Sequence, residues 1–311
     1  MLKCNHVLST DDIDAEDLSQ VLQVAKRIHA LHDIDQVPSL LHNKILGTMF
    51  FEPSTRTRLS FESAMLKLGG SVISVSDGES TSAKKGESLS DTGRVVSCYT
   101  DILVMRHPTA FSVAEFANFS KVPVINAGDG PNQHPTQALQ DLYTIYTELG
   151  RLEDITITFL GDLKFGRTVH SLVQFLKQFK VTFQFVSARE LSMPEDLVKD
   201  LKANGHTVVE TDSLEAVLPN ADVLYVTRIQ GERFASQETF EALKDRYQVR
   251  PETLKIAKDN MIVMHPLPRV NEIHPDVDQD PRACYFRQVQ NGLYVRMALL
   301  TLLLGKAQVL I

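Results

Sequence analysis

From Lys44 onward, short β-type runs alternate with helical stretches, and the whole alternation then begins a second time; few chains with this rhythm can be anything but two parallel-sheet domains. The first set of strands is expected at Ile45–Phe51, Val72–Ser76, Ile102–Met105 and Val122–Asn126. Helices are expected near Thr55–Leu68, Glu87–Tyr99, Phe111–Phe119 and Pro135–Leu149. The second set of strands reads Ile155–Leu160, Val181–Val186, Val208–Glu210, Val223–Val226 and Ile262–Met264, again with helical stretches between. A length of 311 residues suffices for two cores. The expected class is therefore α/β, with two doubly wound parallel sheets and a helix at 135–149, opened by Pro135, joining them. Domain limits of 1–134 and 150–285 follow, leaving a strongly apolar terminal helix at 286–304 that must dock somewhere. Open α/β sheets bind ligands outside the carboxyl ends of their strands, so a site in the cleft between the domains is expected.

The segment Phe51 to Met65 concentrates polar chemistry where a strand becomes a helix. Ser54 can cap that helix, Phe61, Ala64, Met65 and Leu68 recur at helical spacing, and Gly69-Gly70 stops it. Thr55, Arg56 and Thr57 add donors to a helix N-terminus that already presents unpaired N–H groups, a combination suited to phosphate. Arg106 ends the next apolar run and would supply a second guanidinium for a dianion. After the fourth strand, the turn-rich Gly128 to Pro135 leads into a helix with His134 before it and Gln137 on its first turn.

The second half repeats the theme with different partners. Gly161 to Thr168 has the spacing of a nucleotide-binding P-loop except that Arg167 stands where lysine is required, and the acidic Asp222 precedes its strand. What remains is an arginine and a hydroxyl, Arg167 and Thr168, at a helix N-terminus. Arg228 and Gln230 follow another strand, and the arginine pair suits a dicarboxylic acid. Leu267-Pro268 forms an apolar turn, and Ser82 to Glu87 a polar loop with Lys84, Lys85 and a glycine hinge.

Composition narrows the partners. A formal charge of −7 argues against nucleic acid and anionic membranes. The N-terminus lacks a signal-peptide core, and the apolar run 297–304 is too short to span a bilayer, so a cytoplasmic location is expected. Cys4, Cys98 and Cys284 are widely separated, and no histidine pair has metal-ligand spacing; no metal site is expected.

Taken together, Ser54-Thr55-Arg56-Thr57-Arg58 with Ser60-Phe61-Glu62, Met105-Arg106-His107-Pro108, Asn132 to Gln137, Gly161 to Thr168, and His265-Pro266-Leu267-Pro268-Arg269 resemble the aspartate and ornithine carbamoyltransferases over nearly the full chain. The resemblance implies carbamoyl transfer from carbamoyl phosphate to an amine, without a cofactor. It implies phosphate contacts from Ser54, Thr55, Arg56, Thr57 and Arg106, carbonyl contacts from Thr57, Arg106 and His134, and an amide contact from Gln137. Lys85, Arg167, Thr168, Arg228, Gln230 and Pro268 would face the amino acid, and the Leu267 carbonyl would accept from the attacking amine. The terminal helix, 286–311, is expected to return to the first domain. Family members lend the 80s loop to the neighbouring chain of a trimer, which points here to Ser82 and Lys85, with Ser80 and Lys84 as alternatives because the loop is one residue short. Where ornithine-type members carry Ser-Met-Gly and His-Cys-Leu-Pro, this chain reads Arg228-Ile229-Gln230 and His265-Pro266-Leu267-Pro268, so L-aspartate is the expected acceptor, in an early step of pyrimidine synthesis. An ornithine-type transferase and a non-catalytic binding or scaffold chain are the alternatives. Regulatory chains are left open.

Overall fold

The computed structural model describes residues 1–76, 85–231, 237–243 and 246–310. The chain separates into two compact units, Met1–Tyr143 with Val289–Ile311, and Thr144–Gln288. Both divisions fall inside helices.

The first unit opens with helix α1, Ala15–Asp33, which the sequence reading passed over because it began at Lys44. Its signals are ordinary. Asp14 caps it by accepting from the Asp17 N–H, and Leu18, Val21, Leu22, Ala25 and Ile28 form the buried stripe. Strands β1 (Ile45–Phe50), β2 (Ser71–Val75), β3 (Ile102–His107) and β4 (Val124–Asp129) alternate with α2 (Thr55–Lys67), α3 (Leu89–Val96) and α4 (Ser112–Ala117), and α5 (Pro135–Leu149) follows. The sheet is parallel throughout, in the order β2-β1-β3-β4. The inner strands β1 and β3 are apolar and nearly wholly buried, as strands covered on both faces must be, while edge strand β2 alternates toward solvent. Met49, Leu103, Met105, Val113, Phe116 and Val124 pack into one core cluster. Each such side chain contributes about 1.5–3 kcal/mol by leaving water.

In the second unit, β5 (Ile155–Leu160), β6 (Val181–Val186), β7 (Thr207–Thr211), β8 (Val223–Val226) and β9 (Ile262–Met264) make a parallel sheet ordered β7-β6-β5-β8-β9. Helices α6 (Arg167–Leu176), α7 (Glu195–Ala203) and α8 (Gln237–Leu243) lie between the strands in sequence, and α9 (Tyr285–Leu303) ends the described fold. Leu160, Leu218, Leu224, Leu254, Val263 and Tyr285 belong to its core. In both sheets the chain steps outward to one side of its first strand and then returns to the other side. Right-handed crossovers then put helices on both faces. From Val289 on, α9 packs with the first unit: Tyr294 stacks on His29 with ring centroids 4.3 Å apart, and Arg296 reaches Gln140.

Boundaries differ from those expected by up to three residues, where turns compete with the last regular hydrogen bond. β3 runs on through Arg106, so this side chain leaves from within a strand rather than from the loop after it. One expectation is corrected. Ser54 occupies the N-cap of α2 in an extended conformation, but its side chain makes no capping hydrogen bond. The glycine stop of α2 is as expected, with Gly69 at φ +79°, a region that L side chains avoid.

Candidate functional site

Each sheet has one topological switch point, between β1 and β3 in the first unit and between β5 and β8 in the second. Ser54 to Thr57 and Arg106 lie at the first, and Arg167, Thr168, Arg228 and Gln230 at the second, whereas His134 and Gln137 follow β4 and Leu267-Pro268 follow β9.

At the first, β1 feeds α2, whose first turn is Thr55, Arg56 and Thr57 with no acidic residue among them. Thr57 is buried, whereas Arg56 and Thr55 face solvent. Arg106 lies beside Phe50 in the β1–β3 register, which brings its guanidinium to the same strand ends. Its Nε donates to Glu52 Oε2 at 3.0 Å and its Nη1 to the Ala127 carbonyl at 3.4 Å. Partial burial and then the charge of Arg106 push the Arg56 guanidinium below its ordinary value. Two guanidiniums at one helix N-terminus, with Glu52 paired to Arg106, leave a local excess of positive charge on an acidic protein. The absent Ser54 cap leaves the serine hydroxyl available to a ligand.

His134 and Gln137 follow β4 through a loop that one residue organises. The buried Asp129 accepts at Oδ1 from Asn126 Nδ2 (2.9 Å) and the Gln133 N–H (3.0 Å). Its Oδ2 accepts from Asn132 Nδ2 and the Phe111 N–H, both at 2.9 Å. Gly130 permits the turn: at φ +53° a Cβ would lie 2.3 Å from the Pro108 carbonyl oxygen. The loop delivers a buried His134, whose Nδ1 is 3.4 Å from Thr136 Oγ1, and then Gln137, whose Nε2 donates to Asp141 Oδ1 at 2.8 Å.

At the second switch point, Gly161 takes φ +115° because a Cβ would meet the Thr227 carbonyl oxygen at 2.3 Å. That approach ties the ends of β5 and β8 together. Asp162, wholly buried, accepts from the Phe165 N–H at 3.0 Å, and burial raises its carboxyl above the usual range against the pull of these donors. Arg167 and Thr168 open α6, and Arg228 and Gln230 follow β8; all four are partly exposed. Gln230 Nε2 donates to the Phe165 carbonyl at 3.3 Å and approaches Asp162 Oδ2 at 3.5 Å, bridging the two strand ends.

The turn after β9 has its own anchor. Buried His265 sits 2.7 Å from Glu272 Oε1 through Nε2, while its Nδ1 accepts from the Leu267 N–H at 2.8 Å. Because Nδ1 must accept there, the proton belongs on Nε2, facing Glu272. Glu272 also accepts from the Val270 and Asn271 N–H groups. Burial would raise its carboxyl, but the hydrogen bond from His265 and the backbone N–H donors outweigh it and hold the group below its ordinary value. Leu267 has φ +53° and precedes a cis peptide to Pro268. Lys85 is exposed; Ser82, Ser80 and Lys84 lie outside the described residues.

Sequence reasoning singles out polar side chains at strand ends and in the loops after them, and not the carboxylates that hold those loops. Asp129, Asp162, Glu272 and Glu52 were given no role. A carboxylate immediately after a buried strand was the available signal for the first two, since such a group must find donors.

An α/β protein with paired arginines at both of its switch points is a binder of small anions, one suited to a phosphate and the other to carboxylates. Comparison with known proteins agrees. Residues 5–147 match the family model "Aspartate/ornithine carbamoyltransferase, carbamoyl-P binding domain", and residues 153–303 match "Aspartate/ornithine carbamoyltransferase, Asp/Orn binding domain". The aspartate carbamoyltransferase catalytic subunit of Thermococcus kodakarensis is 53% identical over 97% of this chain and 98% of its own. The solved catalytic subunit of M. jannaschii aspartate transcarbamoylase superposes with a TM-score of 0.92 at 50% identity, covering 97% of this chain and 98% of that one. Trypanosoma cruzi aspartate transcarbamoylase in complex with carbamoyl phosphate and aspartate gives 0.90 at 40% identity, over 96% of both chains. The chain belongs to the aspartate/ornithine carbamoyltransferase family.

Proposed function

We propose that this chain is an aspartate carbamoyltransferase, transferring the carbamoyl group of carbamoyl phosphate to the amine of L-aspartate and releasing phosphate, an early step of pyrimidine synthesis. The carrying observation is the arginine pair at each switch point: Arg56 with Arg106, and Arg167 with Arg228. In this reading Ser54, Thr55, Arg56, Thr57 and Arg106 hold the phosphate. Thr57, Arg106 and His134 donate to the carbonyl oxygen as negative charge builds there, and Gln137 meets the carbamoyl NH₂. Arg167, Thr168, Arg228, Gln230, Lys85 and the Pro268 turn orient aspartate, whose neutral amine donates to the Leu267 carbonyl. A C–N bond forms as the C–O bond to phosphate breaks, and the amine proton passes to the departing phosphate. Positioning two reactants in this way can supply roughly 7–11 kcal/mol of the barrier. No step calls for a cofactor.

The acceptor decides between this reading and the ornithine branch. Ornithine would bring its side-chain ammonium toward Arg167 and Arg228, a like-charge meeting that aspartate avoids. Purified protein should therefore carbamoylate aspartate and leave ornithine untouched in a substrate panel. Comparable turnover of the two sinks the assignment, and turnover of neither favours a binding chain.

We also infer a homotrimer with shared sites, in the cytoplasm; support comes from the family resemblance, from the exposed Lys85, and from three cysteines without disulfides. In a cyclic trimer each site would take His134 from one chain and Lys85, with Ser82, from the next. Neither Lys85→Ala nor His134→Ala protein should be active alone. Mixed and reassorted, each hybrid trimer gains one interface with both native residues, and activity should climb toward about one native site in three. A mixture that reassorts by mass yet stays inactive confines the site to one chain.

A further inference from the structure

The first unit buries a carboxylate and a guanidinium that the reaction as described does not use. Gln137 and Asp141 are one turn apart on α5, and Gln137 Nε2 donates to Asp141 Oδ1 at 2.8 Å. A carboxylate can only accept, so the nitrogen end of the amide must face Asp141 and the oxygen end must face away. Asp141 is fully buried, and an anion there needs a matched cation. The charge of the buried Arg296 on α9 acts on that anion. This guanidinium is 3% exposed, donates from Nη1 to Gln140 Oε1 at 3.0 Å, and lies 5.3 Å above the ring of Phe61 on α2. Burial lowers it to about 10 while the charge of Asp141 opposes that fall, so it stays a cation at neutral pH. Its Nε has no hydrogen-bond partner. If the pair served only to pack α9 on α5, apolar side chains would serve as well or better, because two desolvated charges seldom gain over a hydrophobic contact.

We propose that Asp141 is a positioning residue that fixes which end of the Gln137 amide meets the substrate, so that the site demands a hydrogen-bond donor at that point. The proposal rests on the carbamoyl phosphate reading above. Its consequence is selectivity between acyl phosphates. Carbamoyl phosphate brings an NH₂ to the Gln137 oxygen, whereas acetyl phosphate brings a methyl group and leaves that oxygen unpaired.

The test compares the dissociation constants of carbamoyl phosphate and acetyl phosphate, with the KM for aspartate, in wild type and Asp141→Asn. The variant can present its own NH₂ to Gln137 and turn the amide around. The preference for carbamoyl over acetyl phosphate should shrink by about tenfold, the effect of one lost hydrogen bond. Acetyl phosphate binding should stay within about twofold. The double variant Asp141→Asn with Arg296→Met guards against misfolding, since removing both charges leaves neither unpaired. It should show the same loss of preference. An unchanged preference in either variant, or equal weakening of both ligands, overturns the proposal. Apart from any variant, a crystal of the wild-type complex should show the Gln137 nitrogen still on Asp141 and its oxygen on the carbamoyl nitrogen; the reverse orientation also overturns it. Wild-type protein that binds no carbamoyl phosphate would instead overturn the functional reading itself.

Discussion

The two switch points carry the same pair of guanidiniums and surround them differently. At the first, Arg56 and Arg106 crowd the N-terminus of α2, and the charge of Arg106 helps depress Arg56. Such crowding favours a dianion between the two cations. At the second, Arg167 and Arg228 leave from separate strand ends held together by Gly161 against Thr227 and by Gln230 across to Phe165. There the invested structure goes into spacing rather than charge density. A tetrahedral phosphate needs donors converging on one point, and a dicarboxylic acid needs them set apart.

The largest expected effect breaks the first arrangement. If charge converging on the phosphate is what lowers the barrier, Arg56→Ala should depress kcat by about 10²-fold or more, as when a preorganised partner of the transition state is lost. A steady-state assay at saturating substrates reads this directly. A variant with altered KM and native kcat would make Arg56 a binding residue only.

The second arrangement should respond through one substrate. Removing a charge-assisted hydrogen bond costs about 1.5–3 kcal/mol, so Arg228→Ala should raise the aspartate KM by roughly 10- to 150-fold. The dissociation constant of carbamoyl phosphate, measured by calorimetry, should stay within about twofold. Equal damage to both ligands means the two units do not divide the substrates between them.

How much of this was legible in the sequence follows the same division. Strand runs such as Ile155–Leu160 and Val181–Val186 are rich in β-branched and aromatic residues and nearly wholly buried, and their limits agree with those expected from sequence. The α1 helix was missed although its Asp14 cap and apolar stripe are local signals. Arg56, Arg106, Arg167 and Arg228 could be chosen because a cation at a strand end has no structural need to be there. Asp129 and Asp162 offer only their place at the end of a buried run and Glu272 not even that, because the donors that mark a buried carboxylate arrive from residues distant in sequence or from backbone N–H groups whose direction depends on the turn. For Asp162 the companion is Gln230, sixty-eight positions away. The capping role given to Ser54 failed for a related reason: sequence identifies the position, but the rotamer follows from what else the site must bind.

The smallest expected effect sharpens the comparison within the second unit, where two buried carboxylates titrate in opposite directions. Glu272 is held below its ordinary value of 4.5, so its contribution is full above that value and is lost as pH falls through the lower folded value. Asp162 is raised above its ordinary 3.8, so its contribution is full below 3.8 and is lost as pH rises through the folded value. At pH 7 the first therefore stabilises and the second destabilises. Glu272→Gln should lower stability at pH 7 by about 1–3 kcal/mol, the cost of leaving buried donors poorly matched. Asp162→Asn keeps an oxygen for the Phe165 N–H, gives up the buried charge, and should be at least as stable as wild type at pH 7. Urea midpoints followed by circular dichroism at pH 7 and pH 4 would show both variants drawing closer to wild type on acidification, from opposite sides. Were both destabilised equally at pH 7, Asp162 would be serving its loop as an anion matched by its donors, and the strand ends of this unit would rest on charge as much as the first unit's do.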